Sequence, residues 1–188
     1  MLCHCIMSML QIEFYGDPCR SCGYSWSQDV DSLVTEVLKL GSTYRSALEG
    51  LPGTARHPDL GWCASAYVAH VADNLRLHGE RMAVGARGAS FEFVHPSQDD
   101  LALVRAYNSI PLEGSLWSLE NIVTPYVTVF REATAQRAVL PHPTRGFQSA
   151  DDVLRGNVHD AHHHAWDLRC IAEANRGTAT ARIDQPGL

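Results

Sequence analysis

Apolar residues recur at helical spacing in four stretches of the chain. In the first, from about Asp29 to Glu49, the repeating positions are Val30, Leu33, Val34, Val37, Leu38, Leu40 and Tyr44. Leu51-Pro52-Gly53 ends it. The second stretch runs from about Ser65 to Val84, with Val68, Val71, Leu75 and Met82 as its apolar face. Gly85, Gly88 and Pro96 then mark a long connection, and a helical stretch near Asp99–Tyr107 leads into the third helix. That helix spans about Leu112 to Val139, before Pro141 and Pro143; Pro125 inside it predicts a kink or a break. The fourth runs from about Ala150 to Ala174, with Ser149 and Asp151 available as caps. Strand-like alternation is confined to Phe91–Val94. The pattern predicts an all-α protein, a four-helix bundle with one long crossover between its second and third helices. Residues 1–27 form a short irregular N-terminal arm, 28–176 the bundle and 177–188 a polar, flexible tail.

Composition narrows the function. Of 188 residues, 45% are apolar and 19% charged, which fits a globular domain with a substantial core. The formal net charge is −6 and no basic run interrupts it, so neither nucleic acid nor an anionic membrane surface is an expected partner. No apolar run approaches the ~20 residues of a membrane span. Met1–Ile12 has no Lys or Arg ahead of its apolar run and no small-residue cleavage site, so the expected location is the cytoplasm. Lys39 is the only lysine, and with abundant Ala and Gly this suggests a GC-rich bacterial genome. Met7 and Met9 are alternative starts.

The chemistry lies in the histidines and cysteines. Ten histidines is a high number for this length, and the fourth helix carries Asn157-Val-His159-Asp-Ala-His162-His163-His164-Ala-Trp-Asp167. Residues four apart differ by about 40° around a helix, so His159 and His163 can aim at one point. His162, three from His159, can compete with His163, and His164 points elsewhere, towards solvent. Asp167 continues the His163 face by one turn. On the second helix, His70 sits between valines, and Asp73 lies one turn beyond, placed to orient a ligand or touch a substrate. Separate core and surface histidines would show the same spacing. Six cysteines in a reducing cytoplasm read as thiols or metal ligands. Cys19-Arg-Ser-Cys22-Gly23 has the form of a zinc knuckle, for which Cys3, His4 and Cys5 are the nearby partners; free thiols in the arm are the alternative. Cys63 and Cys170 read as small buried residues.

Trp62, Ala69-His70-Val71-Ala72-Asp73 and His159-Asp-Ala-His-His163 resemble, in order, motifs of the DinB-like superfamily. Glu80-Arg81 and Arg105-Ala-Tyr107-Asn108 resemble a bacterial subgroup. The resemblance covers about residues 28–174, with Cys63 standing where relatives often have Ser or Thr. It implies a metal-binding four-helix bundle related to mycothiol-dependent maleylpyruvate isomerase. The metal ligands it implies are His70, His159 and His163. Beside them, Asp73 and Asp167 are candidates to support the catalytic metal, and Asn74 and Arg81 are weaker candidates for substrate contact, a solvated helix face being their alternative reading. Cys19 and Cys22 are candidates for a second metal, because the leader also belongs to the resemblance. The expected cofactor is a divalent metal, zinc ahead of nickel or iron, with mycothiol as a possible co-substrate. Three neutral imidazoles leave an open position, the mark of a catalytic site. The resulting expectation is a metal-dependent thiol transferase or isomerase acting on a small electrophile, with homodimers known among relatives. The alternatives are a thiol-independent Lewis-acid hydrolase, cyclase or epimerase, and a non-catalytic metal-binding stress protein.

Overall fold

The computed structural model describes residues 12–89 and 97–183, with side chains as far as Arg176. Cys3, His4, Cys5, Phe91–Val94 and residues 184–188 lie outside the described residues. The elements in chain order are α1 (Val30–Ala47), α2 (Ala64–Ala86), α3 (Gln98–Val104), a 3-10 turn (Tyr107–Ser109), α4 (Leu112–Ala135), the short strands β1 (Leu140–His142) and β2 (Gly146–Gln148), and α5 (Ala150–Ile183). None of the described helices is long and apolar enough to cross a membrane.

Local chemistry sets the helix starts. The Asp29 side chain accepts from the Ser32 amide and caps α1. Ser149 and Asp152 cap α5 reciprocally: Ser149 Oγ accepts from the Asp152 amide at 3.2 Å and Asp152 Oδ2 from the Ser149 amide at 2.9 Å. The partner of Ser149 is thus Asp152, not Asp151. Cys63 stands at the N-cap of α2 without a side-chain cap bond, so at 1% exposed it acts as a small buried residue.

The four long helices are arranged as a square in which α1 and α2, though consecutive, pack chiefly against α4 and α5 rather than against each other. Their apolar faces meet in one core, with Leu33, Val37 and Tyr44 from α1, Leu75 and Met82 from α2, Leu119 and Phe130 from α4, and Leu154 and Leu168 from α5. Buried polar groups are paired across it. Tyr44 donates to the Ala161 carbonyl at 2.6 Å, and Asn157 donates to the Tyr126 hydroxyl at 2.8 Å. Arg45 ties α1 to Glu113 and Glu120 of α4 at 3.0 Å each.

The structure corrects the pattern at three places. α4 passes unbroken through Pro125, which sits on the exposed face, where the carbonyl deprived of its donor can meet water. The same helix stops at Ala135, before the expected Val139: Arg137 adopts φ 51° and turns the chain into an antiparallel hairpin in which Leu140 faces Gln148 and His142 faces Gly146. Strands this short display no alternation to read. Lastly, α5 continues past Ala174 and Gly177 to Ile183.

Arg81 holds that hairpin in place. It is 2% exposed and donates to Gln148 Oε1 at 2.9 Å and to the carbonyls of Leu140 at 2.9 Å and Pro141 at 2.8 Å. These bonds tie the side chain expected to contact substrate to the hairpin. Burial, with Arg145 nearby, lowers its pKa to about 10. Replacing Arg81 by Met should cost about 2–4 kcal/mol, because buried acceptors lose their donors; denaturant unfolding measures this, and a change below about 0.5 kcal/mol would show that the clamp contributes little.

Candidate metal centre

α5 carries two overlapping pairs at i,i+4 spacing, and each pair faces a different neighbour. About 100° of rotation separates consecutive helical residues, so His159 and His163 turn one way and Asp160 and His164 another. The donors sort accordingly. Cys19, Cys22, His159 and His163 form one group whose ligand atoms all lie within 4.8 Å of one another, and His70, Asp160 and His164 form a second. The expected set of His70, His159 and His163 is thereby divided: no such group unites His70 with either of the others. The physical reason is register, since α2 faces the Asp160–His164 side of α5 and the N-terminal arm covers the His159–His163 side.

The second group lies between α2 and α5. His70 is 3% exposed, and neither ring nitrogen has a hydrogen-bond partner; its Nε2 meets Asp160 Oδ2 only in a 3.4 Å contact. His164 Nε2 lies 3.6 Å from Asp160 Oδ1. Behind it, Nδ1 is 2.8 Å from Asp167 Oδ2; a carboxylate only accepts, so Nδ1 carries the proton of that bond and Nε2 is turned towards Asp160. Asn74 Nδ2 donates to Asp160 Oδ2 at 2.9 Å and orients that carboxylate. Trp62 and Tyr67 close the His164 side, at ring distances of 6.3 and 5.1 Å. Burial opposes ionisation of Asp160, but His164, His70 and Asn74 outweigh it and hold its carboxyl well below the usual carboxylate range. Burial likewise disfavours charge on His164, yet Asp160 and Asp167 raise its pKa overall. His164 is therefore largely enclosed, not turned towards solvent as expected.

Asp167 and Asn74 thus stand directly behind donors. Asp73 does not: it accepts from Tyr107 Oη at 2.6 Å, from Arg105 at 2.9 Å and from Arg76 at 3.3 Å. These bonds anchor the segment after α3 to α2. Asp160 and His164 carry a signal in the sequence, since Asp160-x-x-x-His164 has the same spacing as His159 and His163, but a mixed carboxylate–imidazole pair stands out less than two histidines.

The first group is enclosed by the arm. Tyr15, Tyr24 and Trp26 surround His159 at ring distances of 4.6, 5.2 and 4.5 Å. Burial, helped by His163, pushes His159 down to about 4, and burial also lowers His163. Both rings are therefore neutral near pH 7. Burial raises the Cys19 thiol, but the amides of Cys22 and Ser21 and the Cys22 thiol more than offset it; burial pushes Cys22 up to about 11. His162, between the pairs, contacts the Cys22 carbonyl at 3.2 Å. Cys170 is only partly buried, contrary to expectation.

A polar cavity of about 100 Å³ opens beside Asp160, with Tyr15, Asn74, His78, Arg145 and Gln148 in its walls. A larger, apolar cavity of about 350 Å³ lies between the end of α4 and the start of α5 and contains no donor of either group.

Tyr107→Phe is expected to lower stability by about 1–3 kcal/mol through loss of a charge-assisted bond, with metal content unchanged. Metal lost from that variant or from Asp73→Asn, measured by elemental analysis, would instead place Asp73 in the centre.

Among known proteins, neither a family model nor a curated protein matches the chain. A solved structure does: YfiT from Bacillus subtilis, described as a probable metal-dependent hydrolase with an unusual four-helix bundle topology. The likeness has a TM-score of 0.67 at 19% identity and covers 79% of this chain and 87% of YfiT. The protein therefore has the four-helix bundle fold of YfiT.

Proposed function

We propose that the protein is a metal-dependent enzyme acting on a small hydrophilic molecule, with His70, Asp160 and His164 as the metal ligands. The observation that carries this reading is His70, buried with both ring nitrogens lacking hydrogen-bond partners, beside a carboxylate and an oriented imidazole. Such a buried polar ring is costly unless something completes it. Two imidazoles and a carboxylate suit zinc, and nickel or iron also accept this set. When bound, the metal would supply Lewis acidity and favour the deprotonated form of a thiol or water beside it.

The chain's own groups prepare the rest. Asp167 holds the proton on His164 Nδ1, and Asn74 keeps Asp160 Oδ2 in place. Trp62, packed 5.2 Å from the His70 ring, limits water on that side. Arg145 puts a cation in the cavity wall, suited to an anionic group on the substrate, and Tyr15 closes the wall formed by the arm.

The reaction proposed first is thiol-dependent transfer or isomerisation of an electrophile, mycothiol being one such thiol. The resemblance of the helix motifs supports it, as does a polar cavity suited to a hydrophilic thiol. Hydrolysis is the second reading, supported by the description of YfiT and by the mixed His–carboxylate set, which zinc hydrolases also use.

Untagged protein should consume a bimane electrophile only with metal and a low-molecular-weight thiol present. Asn74→Ala should weaken metal affinity by roughly 10–100-fold. His70→Ala and Asp160→Ala should each remove one metal equivalent and reduce turnover further still. Turnover of ester or amide substrates without thiol would select hydrolysis. Unchanged metal content in both His70→Ala and Asp160→Ala would overturn the assignment.

A further inference from the structure

We propose that Cys19, Cys22, His159 and His163 form a closed, structural zinc site that fastens the N-terminal arm to α5. Four donors from two segments far apart in sequence converge until all their ligand atoms lie within 4.8 Å of one another. Both imidazoles bring a buried nitrogen without a hydrogen-bond partner, His159 Nε2 and His163 Nδ1. Two thiols and two imidazoles are a full tetrahedral complement for zinc, with no position left for substrate. Softer thiolate ligands also separate this group from the His–carboxylate group on the other face of the helix.

The arm is built as a knuckle. Cys19 and Gly23 close a turn through the Gly23 amide, which donates to the Cys19 carbonyl at 2.8 Å, and the Cys19 amide donates to the Tyr24 carbonyl at 2.8 Å. Gly23 has φ 77°, a left-handed conformation that costs glycine least. The knuckle is fixed to α5 apart from any metal: Arg155 donates to the Trp26 carbonyl at 3.1 Å, and Tyr24 Oη donates to the Arg155 carbonyl at 3.3 Å. Trp26 Nε1 donates to the Gly16 carbonyl at 3.0 Å and folds the arm on itself. The four donors are therefore held together by contacts on both sides.

His159 and His163 directly precede Asp160 and His164. A zinc held by the first pair sets the rotation of that turn of α5, and with it the direction of the second pair. It also holds Tyr15, four residues before Cys19, in the wall of the cavity beside Asp160. The zinc site is thus a positioning device for the other centre as well as a fastening for the arm.

The test uses the full-length, untagged chain loaded with cobalt in place of zinc. Wild type should show a thiolate-to-cobalt charge-transfer band and intense tetrahedral visible bands. His70→Ala and His164→Ala should keep them. Cys19→Ser and Cys22→Ser should lose them, together with one metal equivalent and part of the thermal stability. Should a cysteine variant fail to fold, the wild-type zinc protein still decides: Cys19 and Cys22 should resist a thiol reagent until a chelator is added and then react as zinc is released. Cobalt bound without thiolate bands, zinc retained in both serine variants, or the two thiols reacting freely before chelation would overturn the site.

Discussion

Successive side chains on an α-helix leave it about 100° apart, and this rotation governs everything gathered around the middle of α5. A four-residue step returns a side chain nearly to the same face, so a run of six residues can present two independent pairs. The segment from His159 to His164 does this. One pair faces α2 across the bundle core, and the other faces the arm laid along its outside. Moving the run by a single residue, so that Asp160 took the place of His159, would leave a carboxylate among the cysteines and Ala161 where the carboxylate now stands. The register of this one helix therefore determines both donor groups, the wall of the polar cavity and the seat of the arm.

Much of this was legible in the sequence. The start of the last helix followed from Ser149, and the apolar faces of the first two from residues such as Leu33 and Leu75, because helical periodicity and capping are local properties. The hairpin at Leu140–Gln148 was not legible: three-residue strands have no period, and Arg81, which holds them, lies some sixty residues away on α2. The pairing of donors was half legible. The spacing of His159 and His163 announces a common target, but the target is set by where the arm docks, and no local pattern encodes that. His70 lies against the last helix, where the donors grouped with its ring are Asp160 and His164, each one position beyond His159 and His163.

Several charged groups that attract functional readings prove to be architectural. Asp73 and Arg81 both sit on α2, the first one turn from His70, and each binds a peripheral segment, one the stretch around Tyr107 and the other the hairpin. Asn74 and Asp167, less conspicuous in the sequence, stand directly behind the donors Asp160 and His164. Proximity along a helix is a weaker guide to chemistry than the identity of the atom a side chain touches.

The placement of the arm on α5 has a bearing on how the chain reaches this structure. Residues 16–28 make their main interactions with a helix that begins at Ala150, and α1 likewise leans on α4 and α5 and little on its sequence neighbour α2. The contacts that complete the fold are thus mostly remote in sequence, and loop closure must be met before they form. During synthesis the early segments leave the ribosome well before their partners exist. The apolar face of α1 and the thiols of the knuckle have to wait, uncovered, for the last helix to arrive.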